Sequence, residues 1–307
     1  MVVSSFGSIN IDKVVKIDSD KLEELLESDN FPEKGETKEY NYIPDFVKDF
    51  DFNVFLGGKG ANQAVASAKA GSKTKLFGKI GEDSKEYRVL QKLQNRGVDT
   101  GKIVYSEKKT GCTYIFVDEK GENRICLIEG ANKDVDKNYV DLNYAEILKS
   151  RVLLLQNEIS IKTNKYLLDR LNKEPKKDKP YIIFDPSPVK NSEEIIKHKA
   201  INMITPNEVE YKKIYEHIDK HEVNLLKTLG EEGVKLNNTI IKPPKTDPID
   251  TTAAGDVLNG YIANGINKEK NIKKTTKTAV KAASLSTTKN GAQKSIPTKK
   301  QLKNQKQ

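Results

Sequence analysis

Short apolar runs rich in Val, Ile, Leu and Phe alternate along this chain with longer stretches whose apolar positions recur at helical spacing. That rhythm predicts an α/β fold, with a mostly parallel central sheet flanked by helices. Val2 to Ser8 reads as the first strand, and Lys75 to Ile80, Arg151 to Gln156, Tyr181 to Phe184 and Ala200 to Ile204 as others. Lys59 to Ala70 reads as a helix, because Ala61, Ala64, Val65 and Ala68 share one face and Gly71 supplies a stop. Asp83 to Asn95, Asn207 to Ile218 and Gly255 to Asn264 read as helices, while the Lys/Gln-rich end from Lys299 reads as frayed.

Two stretches break this rhythm. Residues 11–56 hold strand candidates Ile11 to Ile17, Lys38 to Ile43 and Asp51 to Phe55 around a charged helix-like insert, Asp20 to Glu27. Residues 101–129 hold Thr113 to Val117 and Arg124 to Ile128, joined by a turn over 118–122. Strands without helices between them predict a small β-sheet attached to one α/β domain spanning 1–307.

Composition narrows the class. Charged residues make up 32% of the 307 positions and apolar ones 36%, more polar than usual but still periodic, so a folded chain is expected. The net charge is 53 − 44 = +9, which favours anionic partners such as nucleotides or phosphorylated metabolites. Lysine is spread throughout without a dense arginine tract or a nucleic-acid motif, so no nucleic-acid partner is expected. No apolar run approaches the ~18 residues of a membrane span, and the N-terminus lacks a signal-peptide pattern. Cys112 and Cys126 have neither metal nor disulfide spacing and read as small apolar fillers. His198, His217 and His221 join no motif and read as surface residues. A soluble protein of a reducing compartment is expected, cytoplasmic, with the nucleus as a further location.

Two segments carry chemistry. Gly57-Gly58-Lys59-Gly60-Ala61-Asn62-Gln63-Ala64 sets glycines between a predicted strand and a predicted helix, where backbone can approach a ligand and the helix N-terminus favours an anion. It lacks Walker A spacing, and alone it reads equally as a plain turn. In Asp250-Thr251-Thr252-Ala253-Ala254-Gly255-Asp256, small residues lead into a helix whose first N–H groups can stabilise charge on a transferring phosphoryl group. Asp256 can accept a proton from a hydroxyl, or merely complement the helix dipole while Asp250 or Thr251 caps.

Together the segments resemble the ribokinase branch of the PfkB-type carbohydrate kinases, nearly end to end. Gly7-Ser8-Ile9-Asn10-Ile11-Asp12 is similar to the family's opening strand, and Gly57 to Ala64 to its first signature. Gly121 to Arg124 with Glu129 to Asn132 resembles the return of its β-sheet lid. Gln156-Asn157-Glu158, Asp185-Pro186-Ser187-Pro188, Thr205 to Glu210, Thr228-Leu229-Gly230, Asp250 to Asp256 and Gly291-Ala292-Gln293 follow in family order.

The resemblance implies a ribokinase-like fold with lid segments 11–56 and 101–129, and ATP-dependent phosphorylation of D-ribose. It implies that Asn10, Asp12, Gly58, Lys59, Asn62 and Glu158 hold the sugar, with Asp256 as the base. The amides of Ala253, Ala254 and Gly255 would form an anion hole, and Asp185, Asn207, Glu210, Thr228, Gly230 and Gly233 would serve the nucleotide and its Mg2+. It further implies K+ near Asp250, Thr252, Ser286, Lys289, Gly291 and Ser295, and a homodimer formed through the lid. Asn207 and Glu210 also fit a helix capping box. A kinase of another sugar or nucleoside, or a catalytically weak sugar-binding relative, are the alternatives.

Three departures from the family stand out. Residues 18–47 are long for a lid segment; 212–227 leave room for one short helix and a strand; and Glu231-Glu232 set two negative charges near the expected triphosphate. Asp185 stands where such kinases often carry Asn.

Overall fold

The computed structural model describes residues 1–28, 30–218 and 223–304. His221, expected at the surface, lies outside the described residues. The strands are β1 (Val2–Phe6), β2 (Asn10–Lys16), β3 (Thr37–Glu39), β4 (Asn53–Gly57), β5 (Lys73–Gly81), β6 (Val98–Ser106) and β7 (Gly111–Val117). They continue as β8 (Asn123–Ile128), β9 (Val152–Gln156), β10 (Tyr181–Asp185), β11 (Met203–Ile204), β12 (Asn224–Thr228), β13 (Val234–Leu236) and β14 (Thr239–Ile241).

The main sheet runs β14-β13-β12-β11-β10-β9-β1-β5-β6, parallel from β12 to β6, with an antiparallel hairpin β13–β14 at one edge. Its central strands read as nearly continuous apolar runs because both faces are covered. Val152 and Leu154 pack with Val65, Val257 and Ile262 from helices Lys59–Lys69 and Ala254–Asn267 on one face. Leu153 and Leu155 pack on the other with Val140, Ile147 and Leu167 from helices Lys137–Leu148 and Ile161–Lys173. At about 25 cal/mol per Å2 of buried apolar surface, this two-sided burial is the main force holding the sheet.

Chain direction diverges at β1, which pairs with β5 on one side and β9 on the other. Such a switch point opens a crevice at the carboxyl ends of the strands. Here it is bounded by the turn after β1, by Gln156 ending β9, and by Asp185 ending β10, which is in register with Gln156.

A second sheet, β3-β8-β7-β2-β4, stands over that crevice. β2 joins it to the body through Gly7–Ile9, and Asn10 pairs with both Gly57 and Gly111. One of its faces is filled by aromatic rings: Phe116 is fully buried and meets Phe31 and Phe50 edge-on at 5.2 and 5.3 Å. The long segment 18–47 thus supplies the second layer that a lone small sheet lacks. Cys126 is buried in this cluster and Cys112 lies at its margin, and burial pushes their thiols up to about 12 and about 11.

Several expected elements differ. Asp83 to Asn95 is not one helix: a 3-10 turn over Glu82–Lys85 is followed by helix Val89–Asn95, with Arg88 left-handed at φ 51° between them. Lys38 to Ile43 shortens to the three residues of β3, and Ala200 to Ile204 to the two of β11. Val98–Ser106 pairs with β5 in the main sheet, so 101–106 do not belong to the small sheet. Lys299–Asn304 is helical rather than frayed, because Leu302 is buried against the core.

Candidate active site

Helix Lys59–Lys69 is driven hard against the turn after β1. Ala61 N donates to Ser8 O at 3.0 Å and Ser5 Oγ donates to Gly60 O at 2.8 Å. A Cβ on Gly60 would fall 2.6 Å from the carbonyl carbon of Gly7, and Gly58 sits at φ +84° with Ser8 O 2.8 Å from where its Cβ would be. Only glycine permits this approach, and it delivers Lys59, Asn62 and Gln63 into the crevice.

The expected sugar-binding residues come together. Glu158 Oε2 accepts from Lys59 N at 2.9 Å and from the Ser8 hydroxyl. Asp12 accepts from Thr113 Oγ1 at 2.6 Å. Asn10 Oδ1 accepts from Asn132 Nδ2 at 2.7 Å, while Asn132 Oδ1 accepts from Ile9 N at 3.0 Å, which ties the lid return to the first strand.

Asp256 lies in the first turn of helix Ala254–Asn267 and is 3% exposed. Its Oδ2 accepts from Asn62 Nδ2 at 2.9 Å and its Oδ1 from Gln63 Nε2 at 3.0 Å. The same Gln63 amide reaches Asp185 Oδ2 at 2.9 Å. The helix is not capped by Asp250 or Thr251; the residue before it is Ala253 in the left-handed region at φ 62°. Asp250 instead accepts from Thr252 N at 2.9 Å and from Gly291 N at 2.8 Å.

Electrostatics follow from crowding carboxylates in a buried crevice. Burial pushes the Asp12 carboxyl up to about 7, and Glu158 and Asp256 add to it against the pull of the Thr113 hydroxyl. Burial likewise raises Asp185 to about 7 despite Lys59, and raises Asp256 despite Lys59, Asn62 and Gln63. Burial pulls Lys59 down, but Asp185, Asp256, Glu158 and Glu210 outweigh it and hold the ammonium charged, above its usual range.

Across the helix N-terminus from Asp256 opens a groove of about 670 Å3, lined by Thr228, Gly230, Gly233, Ala254 and Gly255 among others, with Pro243–Pro248 and Val280–Thr287 as its walls. A Cβ on Gly255 would meet nothing within 4 Å, so the first turn faces open space. Glu231 is itself among the residues lining the groove; it and Glu232 are exposed, so solvent and salt screen part of their repulsion of a bound anion. Asp185, Asn207 and Glu210 do not line the groove. Asn207 and Glu210 cap each other reciprocally, Glu210 N to Asn207 Oδ1 and Asn207 N to Glu210 Oε2, both at 2.8 Å.

The segments around Asp250 and Ser286–Ser295 also meet: Ile249 N and Asp250 N donate to Thr287 O at 2.7 and 3.0 Å. Gln63, Gln156 and Gln293 join the site without standing out as candidates in the sequence. Gln63 lies in the first signature, and Gln156 and Gln293 in the segments Gln156-Asn157-Glu158 and Gly291-Ala292-Gln293, but only folding links them to Asp256: Gln63 directly, Gln156 through Gln63, and Gln293 through Asn62.

A crevice at a switch point, a buried carboxylate at a helix N-terminus, and a groove on the other side of that terminus define a small-molecule kinase of the α/β type. The model of the pfkB family carbohydrate kinases matches residues 35–299. The ribokinase of Lactococcus lactis is 32% identical over 98% of this chain and 95% of its own, and that of Haemophilus influenzae 32% identical over 96% and 95%. The ribokinase structure from Thermotoga maritima superposes with a TM-score of 0.79 at 32% identity, covering 98% of both chains. This chain belongs to the pfkB family of carbohydrate kinases.

Proposed function

We propose that this chain transfers the γ-phosphoryl group of ATP to the 5-hydroxyl of D-ribose, giving D-ribose 5-phosphate and ADP. The observation that carries this reading is the placement of Asp256. Its carboxylate touches Asn62 of the polyol-binding set, and the residues just before it, Ala254 and Gly255, line the groove.

Ribose is held by Asn10, Asp12, Gly58, Lys59, Asn62 and Glu158, a carboxylate–amide set that suits a neutral polyol because carboxylates accept while Asn and Lys donate. Asp256 takes the proton of the 5-hydroxyl as its oxygen attacks phosphorus; the bond from the γ-phosphorus to the bridging oxygen breaks, and ADP leaves. The amides of Ala253, Ala254 and Gly255 receive the charge on the transferring group. Lys59 offsets the carboxylates around it, and the lid excludes water so that the phosphoryl group goes to sugar.

Mg2+ and K+ fit this arrangement. Asn207, Glu210 and Asp185 would hold a Mg2+ carried mainly by phosphates and water. Asp250, which accepts from Gly291 N, would hold K+ together with side-chain or carbonyl oxygens of Thr252, Ser286, Lys289, Gly291 and Ser295. When bound, the two cations supply positive charge to the phosphates and the anion hole. A homodimer through the lid, whose edges are β3 and β4, and a cytoplasmic location complete the proposal.

The test is ADP release by wild type and Asp256→Asn with ribose, deoxyribose, fructose and adenosine. Ribose-dependent turnover lost in the variant supports the reading. Preference for another acceptor assigns that substrate, and silence with every acceptor overturns the kinase.

A further inference from the structure

We infer that Gln293, anchored by Arg96, is a positioning residue that sets the direction of the hydrogen bond between Asn62 and Asp256. This inference rests on the proposed reaction, in which Asp256 is the base.

A chain of four side chains leads from half-buried Arg96 to the base. Arg96 donates to Gln293 Oε1 at 2.5 Å, Gln293 Nε2 donates to Asn62 Oδ1 at 3.0 Å, and Asn62 Nδ2 donates to Asp256 Oδ2 at 2.9 Å. Gln293 and Asn62 are 2% and 5% exposed, so water does not substitute for a missing partner. A guanidinium only donates and a carboxylate only accepts. Two primary amides strung between such ends have a single orientation that satisfies every contact: oxygen toward Arg96, nitrogen toward Asp256. An inverted Asn62 would turn its oxygen on the carboxylate.

The second arm on Asp256 is oriented differently. Gln63 Nε2 lies between two carboxylates, Asp256 and Asp185, and its Oε1 accepts from Gln156 Nε2 at 2.8 Å. Those neighbours alone dictate which end of Gln63 faces the base. Asn62 meets one carboxylate and needs the Gln293 arm. Gln293 is itself held at its backbone: Lys69 Nζ donates to its carbonyl at 3.0 Å, and Gly291 N, two residues before it, is bonded to Asp250. The segment that closes on Asp250 therefore also steers the base.

The charged groups facing Asp256 are Lys59 from its own crevice wall, Asp12 from β2, Glu158 after β9 and Asp185 at the end of β10. Against that background, a donor from Asn62 favours the ionised form, and its loss disfavours it.

Gln293→Glu is the decisive variant, because it keeps size and the Arg96 pair but replaces the donor facing Asn62 with an acceptor. Expected is a fall in kcat/KM for ribose at pH 7 of about 10- to 100-fold, with the acid limb of the pH profile moved to higher pH and the thermal midpoint held near that of wild type. Gln293→Glu with wild-type kcat/KM, or with lowered kcat/KM and an unmoved acid limb, overturns the inference. If Gln293→Glu does not fold, Arg96→Met removes the anchor from the half-exposed end; a shifted acid limb supports the relay and an unshifted one overturns it. Wild type inactive on ribose would instead overturn the proposed reaction, so the two failures are told apart.

Discussion

As the proposed base, Asp256 has to be ionised to take a proton, yet it is buried among other carboxylates, and burial raises it. The acid limb of kcat/KM is therefore expected above the ordinary carboxylate range, and Asp256→Asn is expected to cost about 10^2- to 10^4-fold in turnover. A pH–rate profile read beside the variant's residual rate checks both. Asp185 gives a stability prediction of definite sign. Its folded carboxyl is raised to about 7 from 3.8, so the folded protein holds a proton that the unfolded chain releases. Its contribution is complete below the unfolded value and is lost as pH rises through about 7. Asp185→Asn, which keeps an acceptor for Gln63, should thus raise the thermal midpoint over wild type more at pH 8 than at pH 4. An equal difference at both pH values would refute this.

Among the elements, helix Lys59–Lys69 shows how a sequence signature becomes geometry. Its glycines predict a close approach, and the approach is to the chain's own first turn, where a Cβ on Gly60 would press on the backbone of Gly7 and Ser8. Gly60→Ala is expected to cost about 1–3 kcal/mol by overpacking, measured as a lower urea midpoint, and to weaken ribose binding by displacing Asn62. Strand and helix positions with strong periodicity were legible from sequence, including this helix and β1, β9 and β10. The hairpin β13–β14 and the left-handed break at Arg88 were not. Strands of three residues carry too little pattern to read, and a reversal of φ at one arginine leaves no trace in hydrophobicity. The shortened stretch after Asn207 did resolve as expected from its length, with helix Glu208–Ile218 and β12 on either side of the residues outside the description.

Over the whole molecule, the proposed sugar residues cluster around Asp256 while the groove is lined by Ala254 and Gly255 just before it, so each ligand has its own contacts and should stabilise the fold by itself. Ribose alone and ATP with Mg2+ alone are each expected to raise the thermal midpoint by a few degrees when present far above their dissociation constants. Protection by ribose without any by ATP would mark a sugar-binding protein instead of a kinase. No helix among the described residues is long and apolar enough to cross a membrane. The lid's own aromatic core, in which Phe31 and Phe46 of segment 18–47 pack with Phe50, Phe52, Tyr114 and Phe116, should let it keep its structure when the crevice is empty. Phe116→Ala is expected to cost about 3–5 kcal/mol if the lid unfolds with the body; a separate early transition in calorimetry would show that it does not.

The amino-acid sequence by itself determined the class of fold and the family signatures, and it singled out Asp256 as the candidate base, because periodicity and short contiguous motifs are local and survive in one dimension. What only the tertiary structure decided is which side chains surround that base. Asn62, Asp185, Asp256 and Gln293 come from four distant segments and meet only where the strands end at the switch point. Their directions depend on hydrogen-bond polarity passed from one to the next, which exists only once the chain has buried them together.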